Sequence, residues 1–220
     1  GDGKTDIAVC RGFNVSGGTT WYIRYSSGIA DSITPFGSGF NFAQGDYDGD
    51  GKADAAVFRE SSQTWFIQKS SGGTDIIGFG AVGDKPVPAD YDGDNKADIA
   101  IFRPNGANGA EWWIRRSSDA TVFATQFGLS ADKPTQGDFT GDGKSDIAFF
   151  RPSNGSWFVL RSEDFSFYSF PFGANGDTPV PADYDGDTFT DVAVFRPSTN
   201  TWFISKSSGG TDIIGFGAAG

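Results

Sequence analysis

Histidine is absent from this chain of 220 residues, and cysteine occurs once. The first absence removes the commonest general base, every serine–histidine or cysteine–histidine pairing, and any zinc site that needs imidazole. The second excludes an internal disulfide. Cys10 stands where the other repeats carry Phe58, Phe102, Phe150 and Phe195, which makes it a core position rather than a reactive thiol. No apolar run approaches 18 residues, so no membrane-spanning helix is expected, and no segment carries a helical period. Positive charge is also scarce. Lys and Arg number 17 against 28 Asp and Glu, a net charge of −11 that disfavours nucleic acid held through phosphate contacts.

The acids are not scattered. Asp-Tyr-Asp-Gly-Asp-Gly-Lys-Ala-Asp at 46–54 recurs in close variants at 90–98, 138–146 and 183–191, and a beheaded copy opens the chain with Asp2 and Asp6. Asp46, Asp48, Asp50 and Asp54 hold positions one, three, five and nine of the first full loop. Asp90, Asp92, Asp94 and Asp98, and likewise Asp183, Asp185, Asp187 and Asp191, repeat the set. The loop at 138–146 keeps Asp138, Asp142 and Asp146 but has Thr140 at position three. Carboxylates so spaced around glycine wrap a hard cation in oxygen, with the position-seven carbonyl of Lys52, Lys96, Lys144 or Phe189 filling a further site. Without a cation, carboxylates about 5 Å apart repel by roughly 1–3 kcal/mol per pair. The expected cofactor is Ca²⁺, bound at the three four-carboxylate loops, more weakly at 138–146 and incompletely at 1–6. Isolated modules of this kind bind calcium at about 10⁻⁴–10⁻³ M, which implies an extracellular or cell-surface setting.

The loops anchor a longer repeat, because their last Asp falls at 6, 54, 98, 146 and 191. Each is followed by a hydrophobic run ending in Arg (Arg11, Arg59, Arg103, Arg151, Arg196), then an aromatic strand opened by Trp21, Trp65, Trp112, Trp157 or Trp202. A Ser/Gly turn and a strand ending in Phe-Gly complete the unit. Residues 69–81 and 206–218 are identical, which points to internal duplication. Four short strands per 44–48 residues is the propeller period. The second and third strands are apolar at consecutive positions, as expected when both faces are buried between stacked sheets. With 22 Phe, six Tyr and six Trp, there are large side chains enough to fill the wedges between blades. The expected fold is all-β, a propeller of five visible four-stranded blades, one incomplete. It forms one domain over 1–220, with repeats at 1–45, 46–89, 90–137, 138–182 and 183–220. A complete five-bladed ring and an excerpt of a longer array both fit the ends.

The Asp-x-Asp-Gly-Asp-x-x-x-Asp loop, the Ile-Ala-Val-Phe-Arg-Pro strand and the Phe-Gly…Gly-Asp…Pro connector resemble FG-GAP/VCBS-type repeats over essentially the whole chain. The resemblance implies calcium-binding blades of bacterial secreted propellers related to the integrin α-subunit head. The family includes adhesins, lectin-like binders and accessory domains of polysaccharide-active enzymes.

No catalytic pairing is visible, so a non-enzyme is expected. The first expectation is a binding or adhesion module for a carbohydrate or an extracellular protein. The alternatives are a structural repeat subunit that self-assembles, and a non-catalytic accessory domain of a secreted polysaccharide-active enzyme. Repeated Trp and Arg read as packing residues, the arginines donating to backbone carbonyls. Departures from the repeat are more informative. The segments 12–20 and 104–111 are longer than their five-residue counterparts and lie opposite the metal loops, which makes Asn14, Ser16, Asn105, Asn108 and Glu111 candidate ligand contacts.

Overall fold

The computed structural model describes residues 41–216, together with the backbone of residues 7–12, 19–24, 32–35 and 40. Among these residues the chain is strand and turn, with one short 3₁₀ turn at Glu60–Ser62. A three-stranded sheet comprises β1 (Ile7–Gly12), β2 (Thr19–Arg24) and β3 (Ser32–Pro35). The second sheet comprises β4 (Phe40–Phe42), β5 (Ala55–Arg59), β6 (Thr64–Gln68) and β7 (Thr74–Gly78). The third comprises β8 (Lys85–Pro86), β9 (Ile99–Gly106), β10 (Gly109–Arg115) and β11 (Val122–Gln126). The fourth comprises β12 (Lys133–Gly137), β13 (Asp146–Arg151), β14 (Ser156–Leu160) and β15 (Phe167–Pro171). The fifth comprises β16 (Thr178–Pro179), β17 (Val192–Arg196), β18 (Thr201–Ser205) and β19 (Thr211–Gly215). Every pairing is antiparallel and joins strands consecutive in sequence. The chain divides into two compact units, Gly1–Val82 with the first two sheets and Gly83–Gly220 with the other three.

Each four-stranded sheet begins one strand before its Asp loop, so the sheets straddle the sequence repeats. Burial then falls outward. All of Ile99, Ala100, Ile101 and Phe102 in β9 are buried, as are Ile147, Ala148, Phe149 and Phe150 in β13. The fourth strands β7, β11 and β15 alternate between exposed and half-buried. The third strands differ from the expectation, since β6 and β10 alternate buried and half-buried residues instead of burying both faces. Phe66, Trp113, Phe158 and Phe203 are the half-buried members, and each has an arginine guanidinium 4.5–5.3 Å from its ring centre.

Within the second unit, neighbouring sheets pack face to face. Ile147 and Leu160 of the fourth sheet join Phe102, Trp112 and Ile114 of the third in one cluster. Val192 and Val194 of the fifth join Phe150 and Trp157 of the fourth in another. Tryptophans also clip the second, third and fourth sheets shut. The indole N–H groups of Trp65, Trp112 and Trp157, all fully buried, donate to the carbonyls of Phe79, Phe127 and Phe172 at 2.8–2.9 Å. The glycine after that phenylalanine is required by the close approach. Gly128 has φ 111°, and a Cβ there would come within 3.2 Å of the Phe149 ring in the next sheet.

Candidate metal loops and their braces

The Asp loops join the first and second strands of each four-stranded sheet, and their carboxylates have distinct jobs. At position one, Asp46 accepts from the backbone N–H groups of Gly49 and Gly51 at 2.7 and 2.8 Å. Asp90 accepts from Gly93 and Asn95, and Asp183 from Gly186 and Thr188, in the same way. Position five accepts the position-seven amide, Lys52 to Asp50 or Lys96 to Asp94, at 2.9 Å. Position nine is a buried brace. Asp54, Asp98, Asp146 and Asp191 are at most 1 % exposed. Each accepts one N–H from loop position two and another from the first serine of the turn between the third and fourth strands.

That turn supplies the remaining donors. The hydroxyls of Ser70, Ser162 and Ser207 donate to Asp50, Asp142 and Asp187 at 2.7 Å, and Ser117 to Asp94 at 2.8 Å. The next serines, Ser71, Ser118 and Ser208, donate to Asp48, Asp92 and Asp185. In the fourth sheet both partners of this second contact change, to Thr140 and Glu163. Loops of adjacent sheets are tied through Ser145 N–H to Asp90 O at 2.6 Å and Thr190 N–H to Asp138 O at 2.7 Å.

One oxygen each from Asp46, Asp48 and Asp50 lies within 4.8 Å of the others, and the same holds for Asp90, Asp92 and Asp94, and for Asp183, Asp185 and Asp191. Calcium–oxygen distances of about 2.3–2.6 Å set opposed ligands about 5 Å apart, so these three groups fit a calcium-sized ion. No such group forms at 138–146 among the described residues, where Thr140 Oγ1 lies 3.4 Å from Asp146 Oδ1. Asp54 and Asp98 stay with their amides, outside the triads. Asp2, Asp6, Asn14 and Ser16 lie outside the described residues. Electrostatics separates the positions further. Burial pushes the Asp98 carboxyl up to about 6 and raises Asp146 as well. The Ser70 hydroxyl holds Asp50 below the usual carboxylate range, and the Gly186 amide does so for Asp183.

Two features differ from the sequence reading. The residues 104–111 are no irregular loop, because β9 and β10 extend through them to a tight turn at 107–108. Asn105 and Asn108 are exposed there. Glu111 is engaged by its own chain, accepting the Trp113 indole N–H at 3.0 Å and the Ala107 N–H at 3.3 Å. The arginines, expected to meet carbonyls, grip carboxylates instead. Arg103, Arg151 and Arg196 make two-pronged contacts of 2.8–2.9 Å with Asp84, Asp132 and Asp177, whose side chains are at most 1 % exposed. Each aspartate precedes its arginine by 19 residues, a constant offset that could have revealed the pair. Nineteen residues before Arg59 the chain has Phe40, its partner in the β4–β5 register.

The model of the FG-GAP-like repeat matches residues 46–101 and 138–194, together just over half of the chain. This chain belongs to the FG-GAP-like repeat family. Each matched FG-GAP-like segment starts at the first Asp of one loop and runs through the whole of the next. No curated protein shows a significant sequence match. Among solved structures, a catalytically inactive histidine-to-alanine variant of virginiamycin B lyase from Staphylococcus aureus, with quinupristin, superposes with TM-score 0.55 and 10% identity over 97% of this chain and 75% of its own. A protein of unknown function from Bacteroides caccae superposes with TM-score 0.56 and 12% identity, covering 96% and 73%. At such identities the likeness concerns the fold, which is propeller-like and all-β. No helix among the described residues is long and apolar enough to cross a membrane.

Proposed function

We propose that this FG-GAP-like chain is a calcium-stabilised extracellular β-propeller module of five blades that recognises a carbohydrate or protein partner and is not an enzyme. The observation that carries the calcium part is the approach of three aspartate oxygens within 4.8 Å at three separate loops. Asp46, Asp48 and Asp50, then Asp90, Asp92 and Asp94, and Asp183, Asp185 and Asp191 would hold the ions, whose contribution is charge neutralisation and a fixed loop shape. Extracellular placement is supported by the family, since FG-GAP-like repeats are typical of extracellular proteins, and by the modest affinity of isolated calcium modules. Binding rather than catalysis is supported by the lack of histidine. The S. aureus lyase is inactive when one histidine becomes alanine.

The test is a calorimetric calcium titration of the chelator-stripped protein alongside its melting temperature. Three sites and a rise of several degrees are expected, because each site at ten times Kd adds about 1.4 kcal/mol. Absence of calcium uptake would end this reading.

A further inference from the structure

The turn between third and fourth strands is conventional in two sheets and altered in two. In the second and fifth sheets it reads Lys-Ser-Ser-Gly-Gly-Thr-Asp, at 69–75 and 206–212. Its lysine pairs with its aspartate, Lys69 to Asp75 at 3.1 Å and Lys206 to Asp212 at 3.0 Å. In the third and fourth sheets the lysine becomes Arg116 or Arg161. The aspartate, opposite Ile67 or Ile204 in register, becomes Phe123 opposite Ile114 or Tyr168 opposite Val159. The acid is thus exchanged for an aromatic ring in both sheets. Neither arginine has an ion-pair partner within 4 Å among the described residues. The nearby Asp119 and Asp164 are taken up by Thr121 and Ser166.

These two turns flank one cavity of about 380 Å³ between the third and fourth sheets, beside the loop at 90–98. Arg116, Arg161, Lys144, Phe123 and Phe165 line it, together with Asp119 and with Asp92 and Asp94 of the Asp loop, whose charge a loop cation would offset. Arg161 Nε and Asp92 Oδ1 are the two buried side-chain polar atoms without a hydrogen-bond partner among the described residues, and both belong to residues of this cavity. A cation in the 90–98 loop would satisfy Asp92; the Arg161 guanidinium lies over the Tyr168 ring at 5.1 Å, and its Nε finds no hydrogen-bond acceptor among the described residues. The turn at 161–168 is one residue longer than those at 69–75 and 206–212. Phe165, whose amide donates to the Arg161 carbonyl as those of Gly72 and Gly209 donate to Lys69 and Lys206, takes a left-handed backbone, φ 57°. That is a region side chains disfavour. Its ring is 56 % exposed and stacks on Phe123 at 5.4 Å.

We infer that this cavity binds an acidic saccharide, a hydroxyl-rich ring bearing a carboxylate. The volume falls in the range of about 300–1,000 Å³ usual for small-ligand sites. Arg161, Arg116 and Lys144 present donors and positive charge to the carboxylate, and Phe165 with Phe123 offers an apolar face to the ring's C–H side. A peptide would seek free strand backbone, and these walls are side chains. The assignment rests on the binding reading above but not on its calcium part.

The experiment titrates calcium-loaded protein with trigalacturonate and with neutral maltotriose, in the parent and in Arg161→Gln and Phe165→Gly variants. The glycine variant adopts the residue of two other turns, so its fold should persist. Trigalacturonate is expected to bind at least tenfold tighter than maltotriose, and each variant to lose about tenfold or more while keeping the calcium-induced rise in melting temperature. No trigalacturonate binding, equal binding of the neutral sugar, or full affinity in both variants would overturn the assignment. In any of these results an intact calcium response would leave the calcium reading standing. Trigalacturonate binding with no calcium response would do the reverse.

Discussion

The second and fifth sheets share an identical stretch, 69–81 and 206–218, and their outer turns close on themselves through Lys69–Asp75 and Lys206–Asp212. The third and fourth sheets carry a tryptophan clip like that of the second and an Arg–Asp grip like that of the fifth, yet their outer turns open onto a cavity lined by Arg116, Arg161 and stacked phenylalanines. The comparison separates two kinds of residue. Outside the Asp loops, those repeated in most sheets satisfy each other's polar groups. Those that break the repeat at 116–123 and 161–168 leave donors and apolar surface exposed.

The comparison breaks most severely if the shared grip is removed. Arg151→Ala would strand the Asp132 carboxylate, 1 % exposed, and is expected to cost about 3–5 kcal/mol. Lys206→Ala, in a pair with side chains 27 % and 46 % exposed, is expected to cost about 0–1 kcal/mol. Urea denaturation of both variants checks the ratio, and equal losses would erase the distinction between grip and turn. Next in size is Trp157→Phe, which deprives the Phe172 carbonyl of its donor. A loss of about 1–3 kcal/mol in the same assay is expected.

Phe165→Gly sharpens the comparison in the opposite direction. Relieving a side chain from a left-handed backbone should raise stability by about 1 kcal/mol, the sign expected of a residue kept for binding. A melting temperature that falls instead would assign Phe165 to packing. The smallest effect is acid sensitivity. The Arg196 guanidinium holds the Asp177 carboxyl below its ordinary value. The depressed pKa contributes stability that is fully present above about pH 4 and is lost as pH falls through the folded-state value. In Arg196→Met, stability profiles between about pH 4 and pH 2 should be flatter than in the parent, and an unchanged slope would remove the pair from the account.

Much of this architecture was legible because it is written several times. The Asp loops, the apolar second strands and the tryptophan strands each recur at one period, and the structure places them as that period suggests. The family likeness rests on the same residues. What escaped reading has physical causes. Phe66, Phe158 and Phe203 follow a buried tryptophan in sequence and look equally apolar, but their rings cover arginines instead of filling the core. Asp84, Asp132 and Asp177 look like turn residues, and Asp132 and Asp177 do accept the turn amides of Leu129 and Ala174. Their other partner lies two strands' worth of chain away. The extra residues at 104–111 lengthen a hairpin, since added strand pairs satisfy their backbone groups within the sheet. The altered turns at 116–123 and 161–168 carry meaning only once the two sheets are seen to face one cavity.

The central claim is that the repeated aspartate loops hold calcium, and anomalous diffraction from crystals grown with millimolar calcium tests it most directly. Peaks are expected among Asp46, Asp48 and Asp50, among Asp90, Asp92 and Asp94, and beside Asp183 and Asp185, with a weaker peak or none at 138–146. Maps without density at Asp46 and Asp90 would contradict it.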